Sequence, residues 1–99
     1  MADNRTRVTA SVDTADDGTD WLQLRSDGNF FDISVSGIYS GTVTLQRKRP
    51  GESTAAARDI EEYATGVERV GEMQGHWDVR LYVKVGDLAS GTATLELGT

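Results

Sequence analysis

The stretch HWDVRLYVKV, residues 76–85, alternates apolar and polar side chains from end to end. One set of alternate positions is apolar and consists of Trp77, Val79, Leu81, Val83 and Val85. The other set consists of His76, Asp78, Arg80, Tyr82 and Lys84. Because successive side chains of a β-strand point to opposite faces, this pattern predicts a strand with one buried and one exposed face, as is typical of antiparallel sheets.

Five other segments show the same period of two, and turn residues such as Gly, Asp and Ser separate them. They are RVTASV (7–12), DWLQLRS (20–26), FFDISVSG (30–37), TVTLQR (42–47) and TATLEL (92–97). We therefore predict an all-β protein, a single small antiparallel β-sandwich or jelly-roll-like barrel of seven to eight strands. The domain should occupy residues 8–99, after a flexible N-terminal arm over residues 1–7.

The segment GESTAAARDIEEYA, residues 51–64, has the composition that most favours a helix. Ser53 or Thr54 is suited to cap it, and three alanines follow. Only Ile60 and Tyr63 fall at helical spacing, however. The alternative is a loop that runs into a strand at about Arg58.

A heptapeptide occurs twice, as SGTVTLQ at 40–46 and SGTATLE at 90–96. Each copy follows another alternating segment, so each is predicted to form the second strand of a hairpin whose turn is Ser-Gly. Three interpretations stay open: two hairpins built alike, an internal duplication, or a repeated ligand site.

Length and composition exclude several classes of protein. Ninety-nine residues fit one domain, and the absence of cysteine excludes disulfides, thiolate metal sites and a cysteine nucleophile. The formal net charge of −6 argues against binding to phosphate backbones. No apolar run approaches the roughly 20 residues that cross a bilayer, and the first residues lack the apolar core of a signal peptide. We expect a soluble protein made in the cytosol, without direct nucleic-acid or membrane contacts.

The residues give little support for catalysis or metal binding. His76 is the only histidine, so a multi-histidine metal site is impossible, and no Gly-x-Ser-x-Gly elbow occurs. The carboxylates of DTADDGTD (13–20) do not follow the spacing of an EF-hand and favour a solvated acidic turn over a calcium site. We predict no enzymatic activity, no metal and no cofactor.

Basic residues are the candidate contacts to a partner. QRKRPGE, residues 46–52, places Arg47, Lys48 and Arg49 just before the only proline, and Arg58 follows that loop. Arg5 and Arg7 lie in the predicted arm. These cations either meet an acidic partner surface or form solvated strand ends that discourage edge-to-edge pairing.

Aromatic side chains offer a second kind of contact, a stacking platform for sugars. The candidates are Trp21, Tyr39, Tyr63, Trp77 and Tyr82. Such a platform needs two rings exposed on one face, whereas alternation places Trp77 with the core and only Tyr82 on the outer face of its strand. A carbohydrate-binding adhesion module is therefore an alternative function.

The run FFDISVSGIYSGTVTLQRKRPGES, residues 30–53, resembles small β-rich structural proteins of tailed bacteriophages, whose pattern is F-x-I-x-[IV]-S-G-x-[WY]-x-G-T-V-T-L-Q-R. The matching positions are Phe31, Ile33, Val35, Ser36, Gly37, Tyr39 and Gly41 to Arg47. DVRLYVKVGDLASGTATLEL, residues 78–97, looks like the end of the same family, so the resemblance spans about two-thirds of the chain.

The resemblance implies a virion protein without enzymatic chemistry, made in the host cytoplasm. Capsid decoration, or cementing of the shell, is the leading role that it implies. A head-to-tail connector and a tail- or fibre-associated protein are the alternatives. The implied partners are other virion proteins, such as the major capsid protein or neck and tail proteins, and the chain is expected to form a homo-oligomer or a symmetric array.

Overall fold

The fold is an antiparallel β-sandwich, seen in a computed structural model that describes residues 7–25 and 29–99. Its strands are β1 (Arg7–Val12), β2 (Asp17–Gly18), β3 (Leu22–Leu24), β4 (Asn29–Ser36), β5 (Tyr39–Gly41), β6 (Val43–Lys48), β7 (Arg58–Tyr63), β8 (Val67–Met73), β9 (Trp77–Val83), β10 (Leu88–Gly91) and β11 (Ala93–Gly98). The predicted all-β class is confirmed. The described chain holds more strands than the seven to eight predicted, because β2, β5 and β10 are short segments that period-two counting does not resolve.

Two sheets face each other, and a short ribbon joins their ends. The first sheet has the order β1-β11-β4-β8. The second has the order β2-β9-β6-β7, with β3 also paired to β9. The ribbon consists of β5 and β10. All of these pairings are antiparallel.

The core lies between the two sheets and consists of the apolar faces that the alternation predicts. The largest fully buried side chains come from both sheets and are Val12, Leu22, Leu24, Ile33, Val35, Val43, Leu45, Val79, Leu81, Val83, Leu95 and Leu97. Val85 is the exception, since it is 77% exposed. The strand ends at Val83 and the chain turns at Gly86, so the alternation does not continue to Val85.

The two Ser-Gly copies do not form the predicted hairpins. β4 and β6 lie in different sheets, and so do β9 and β11, so each copy carries the chain from one sheet to the other. The two copies instead pair with each other: Ser40 lies opposite Ser90, and Tyr39 lies opposite Gly91. The prediction was wrong because period two shows which face of a strand is buried but not which sheet contains the strand.

The strand order repeats between the two halves of the chain. Strands β1, β4, β5 and β6 of residues 7–48 correspond to β7, β9, β10 and β11 of residues 58–98, and β2 with β3 corresponds to β8. If each strand of the first sheet is replaced by its counterpart in the other half, the order β1-β11-β4-β8 becomes β7-β6-β9-β2/β3. This is the strand order of the second sheet. Of the three interpretations of the heptapeptide, this topology favours internal duplication.

Residues 51–64 follow the loop interpretation. A single 3-10 turn covers Thr54–Ala56, and β7 begins at Arg58. At the N-terminus, β1 begins at Arg7, one residue before the predicted start of the domain, and Arg7 lies opposite Gly98. The remainder of the predicted arm, including Arg5, lies outside the described residues.

Candidate partner-binding site

Four of the six cations predicted to contact a partner lie together at one end of the sandwich. Arg47 and Lys48 end β6, Arg49 follows directly, and Arg58 begins β7 opposite Arg47. Arg25 joins them, because Leu24 lies opposite Trp77 at the start of β9. We call this end, defined by Arg25, Arg47, Lys48, Arg49, Arg58 and Trp77, the basic end.

Arg7 lies away from that cluster, on the outer face of the first sheet. Its guanidinium Nη2 is 3.0 Å from Asp32 Oδ1 and 3.1 Å from Glu96 Oε2. Hydrogen bonds to these two carboxylates raise the pKa of Arg7. Its charge is therefore already matched within the chain.

Lys48 belongs to the basic end but does not present its charge to solvent. Its side chain is 9% exposed, and Nζ lies 3.0 Å from Asp78 Oδ2. Arg25 Nη2 lies 2.6 Å from the other oxygen, Asp78 Oδ1. Burial raises the pKa of the Asp78 carboxyl, but the hydrogen bonds from Arg25 and Lys48 outweigh it, so the pKa is lowered. Lys48 is therefore a structural residue of the basic end and not a contact residue.

Trp77 carries two guanidinium groups at the basic end. Arg47 Cζ lies 3.9 Å from the ring centroid, and Arg49 Cζ lies 4.6 Å from it. The indole Nε1 donates a hydrogen bond to Gln74 O at 2.8 Å, which fixes the ring. Both cations thus lie within the range of cation–π attraction, worth about 0.5–2 kcal/mol each.

These two arginines differ from most cations of the described chain because their guanidinium groups form no ion pair with a carboxylate. Within residues 7–25 and 29–99, ion pairs shorter than 4.0 Å involve Arg7, Arg25, Lys48, Arg58, Arg69 and Lys84. Arg47, Arg49 and Arg80 lie on aromatic rings instead. Arg80 also donates from Nε to Gln46 Oε1 at 2.9 Å. Arg47 and Arg49 are thus two neighbouring cations without an ion pair in the described chain. Glu52 is the carboxylate near Arg49: a hydrogen bond from Arg49 N, at 2.7 Å, together with the charges of Arg58 and Arg49, lowers the pKa of the Glu52 carboxyl.

Comparison of the chain with protein-family models, with curated proteins and with solved structures finds no match.

The other aromatic rings are engaged within the fold. Trp21 has Lys48 Nζ at 5.1 Å and Arg80 Cζ at 4.4 Å from its ring centroid. Tyr39 donates its hydroxyl to Tyr63 O at 3.1 Å. Tyr63 is buried, and burial together with a hydrogen bond to a carboxylate raises its pKa to about 12. Arg80 also lies on the ring of Tyr82. Each of the five aromatic residues considered for sugar stacking thus has either a cation on its ring face or a polar group bonded within the chain.

The opposite end of the sandwich is acidic. Asp16 and Asp17 adjoin the far end of β9, where Asp16 N donates to Val83 O at 2.7 Å and Asp17 pairs with Val83. Asp13 follows β1, and Asp87 lies in the connection from β9 to β10. β9 spans the distance between the two ends, about 20 Å for a seven-residue strand. The molecule is consequently polarised along β9.

His76 is exposed and immediately precedes β9. Among the residues that the structure describes, no group of three or more acidic or histidine side chains is arranged to hold a metal ion. No helix in that part of the chain has the length and apolarity needed to span a bilayer.

We expect the protein to lose stability as the pH falls below about 4. The pKa values of Asp78 and Asp59 are both lowered in the fold, Asp59 by hydrogen bonds from Lys84 and Gln46. A lowered pKa means that stabilisation is present above the unfolded carboxyl pKa of about 3.9 and is lost as the pH falls through the folded value. Urea midpoints between about pH 7 and pH 2 test this, and the Asp78→Asn variant should show a smaller loss. An unchanged loss in that variant would assign the acid sensitivity to other groups.

Proposed function

We propose that the protein is a non-enzymatic structural component of a tailed-phage particle, which decorates or cements the assembled shell and docks through its basic end. The supporting observation is the pair Arg47 and Arg49 on Trp77, two cations whose guanidinium groups form no ion pair among the described residues, at one end of a protein whose net charge is −6. The sequence resemblance of residues 30–97 supplies the phage setting.

The charge distribution supports docking by one end. An acidic partner surface attracts the end with Arg47 and Arg49 and repels the end with Asp13, Asp16 and Asp17. Complementary charge of this kind steers encounter and fixes orientation more than it adds affinity. Oriented docking is what a symmetric array of identical copies on a shell requires. In this proposal the partner is a virion protein, the protein acts in the particle, and its copies form that array.

The buried ion pair between Lys48 and Asp78 also supports the proposal, because it makes the basic end rigid. Their ion pair fixes the end of β6 next to the start of β9, directly beside Arg47 and Arg49. A surface that is already ordered before binding avoids the cost of ordering side chains at the interface. The basic end therefore needs no rearrangement to dock.

Neutralising the two unpaired cations should weaken attachment to particles. We expect the double variant Arg47→Gln/Arg49→Gln to bind at least about tenfold more weakly, because each lost charge-assisted contact is worth about 1.5–3 kcal/mol. The measurement is co-sedimentation of the purified chain with particles that lack it, at low and at physiological salt. Lys84→Gln, a neutralisation near the acidic end, is the matched control and should bind like the unmodified chain.

Equal binding of the double variant and the unmodified chain contradicts docking through the basic end. Absence of co-sedimentation for the unmodified chain contradicts the decoration role itself.

A further inference from the structure

A groove opens between the two sheets along one side of the sandwich. Its walls are the edge strands β7 of the second sheet and β8 of the first, whereas on the opposite side β1 and β2 are in contact. The groove has a volume of about 570 Å³. That volume falls within the range of ligand-binding clefts, about 300–1,000 Å³.

The floor of this groove is apolar. Phe31, Leu45, Met73 and Trp77 line it as buried side chains, and Ile60, which is 38% exposed, lines its wall. The glycine opposite Phe31, Gly71, leaves the space for that ring, since a Cβ there would lie 2.7 Å from Phe31 Cζ. An aliphatic side chain entering the groove would therefore exchange water for apolar contact, worth about 25 cal/mol per Å².

Arg47 places a positive charge in the lining of the same groove. It follows Val43 and Leu45 at every second position of β6, so its side chain leaves the strand on the core-facing side. The guanidinium lies on Trp77, and its buried Nε has no hydrogen-bond partner among residues 7–25 and 29–99. A buried donor without a partner lowers the stability of the fold. A ligand that supplies an acceptor to this Nε would remove that cost.

An ion pair bridges the two walls. Arg69 Nη1 of β8 lies 2.8 Å from Glu61 Oε2 of β7, and Tyr63 donates its hydroxyl to Glu61 Oε1 at 3.0 Å. Arg69 and Glu61 therefore neutralise each other in the groove lining and leave Arg47 as the cation available to a ligand.

We propose that the groove binds an extended peptide segment of a partner protein, with an aspartate or glutamate on Arg47 and a neighbouring aliphatic side chain on the apolar floor. Both walls are edge strands, which accept an extended chain by strand addition. The inference rests on the proposed function only for the source of the peptide segment, a virion protein. It specifies the side chains that the docking surface recognises, an acidic one and an aliphatic one.

A phosphate-bearing ligand fits the same surface less well. The apolar floor offers it nothing, and Glu72 in the lining opposes a polyanion more strongly than a single carboxylate. A short acidic and aliphatic peptide uses both the guanidinium and the floor.

The test is an NMR titration of the ¹⁵N-labelled chain with the blocked hexapeptide Thr-Val-Asp-Leu-Thr-Val, up to about 5 mM, so that a Kd as weak as about 1 mM is measurable. We expect shifts at the Trp77 indole N–H and at the amides of β7 and β8. The peptide with Asn in place of Asp should bind at least about tenfold more weakly. Inorganic phosphate and a single-stranded oligonucleotide are titrated in parallel.

Matched variants separate the groove from general surface effects. Arg47→Gln should lower affinity for the Asp peptide to that of the Asn peptide, and Ile60→Ser should weaken both peptides. Val70→Ser is the control, because Val70 is an exposed aliphatic residue of β8 that does not line the groove. Lys84→Gln, which removes a cation paired with Asp59 and absent from the groove lining, should also leave affinity unchanged.

The inference is overturned by equal binding of the Asp and Asn peptides, by shifts that map outside β7, β8 and Trp77, or by phosphate binding as tight as that of the peptide. Absence of any shift at about 5 mM overturns it as well. A chain that binds the peptide in the groove but does not co-sediment with particles supports this inference and contradicts the proposed function. A chain that co-sediments with particles but binds the Asp and Asn peptides equally supports the proposed function and contradicts this inference.

Discussion

Replacing Asp78 with asparagine should lower the free energy of unfolding by about 3 kcal/mol or more. The substitution keeps the size of the side chain but removes the charge that faces two cations. Lys48, 9% exposed, would then hold a buried ammonium without a carboxylate among the described residues, and this uncompensated charge is the main cost. Arg25, at 36% exposure, can turn towards water and should contribute less. Urea unfolding at neutral pH measures the difference.

The matched variants isolate that cause. Lys48→Met should cost less than Asp78→Asn, because Asp78 keeps its contact with Arg25, and the double variant should recover part of the loss. Asp59→Asn is the exposed counterpart, since Asp59 pairs with Lys84 at 43% and 38% exposure. Exposed ion pairs contribute about 0–1 kcal/mol. An Asp78→Asn effect no larger than that of Asp59→Asn would contradict the structural role assigned to the buried pair.

Replacing Gly91 with alanine should destabilise the protein by about 3 kcal/mol or more, because two costs combine. Gly91 has φ +87°, where an L-residue is strained by about 1–2 kcal/mol. A Cβ there would also lie 2.2 Å from Ile38 O, across the ribbon that joins the two sheets. Backbone must move to relieve such an overlap, and the same backbone carries the chain between the sheets.

Two other glycines separate these costs. Gly51 has φ +83° and open space around its missing Cβ, so Gly51→Ala should show the conformational cost alone, about 1–2 kcal/mol. Gly41, opposite Leu88 in the ribbon, has no positive φ, but a Cβ there would lie 2.1 Å from Asp87 O, so Gly41→Ala should show the steric cost alone. The expected order of destabilisation places Gly91→Ala first. Thermal or urea unfolding in which Gly91→Ala matches Gly51→Ala would contradict close packing of the ribbon.

The buried faces of the long strands could be predicted from the sequence because side-chain alternation depends only on local geometry. Val79, Leu81 and Val83 of β9 and Leu95 and Leu97 of β11 are all buried as predicted. Sheet membership depends on which strands meet in space, and alternation carries no information about it. The hairpin prediction failed for that reason, and the two Ser-Gly pairs predicted as turns lie instead within the short strands β5 and β10.

Alternation also failed to predict which residues are buried on the outer face of the second sheet, next to the candidate site. Alternation predicts that Asp78 is exposed, yet Asp78, Gln46 and Lys48 are buried. Trp21, from the segment before β3, and Arg80 lie near this face, and the link to Lys48 is seen only in the fold. Arg47 did carry a usable signal, because a charged residue two positions after Leu45 falls on the core-facing side of β6 and indicates an opening in the core.

In the proposed function, the basic end, with Arg47 and Arg49 on Trp77, is the docking surface on a phage particle. Cryo-electron microscopy of particles that carry the protein tests it most directly. We predict density for the sandwich on the shell, with the end of β6 and the groove between β7 and β8 facing a neighbouring virion protein and a carboxylate of that protein on Arg47. Particles without this density, or density in which the acidic end with Asp16 and Asp17 faces the shell, would contradict the claim.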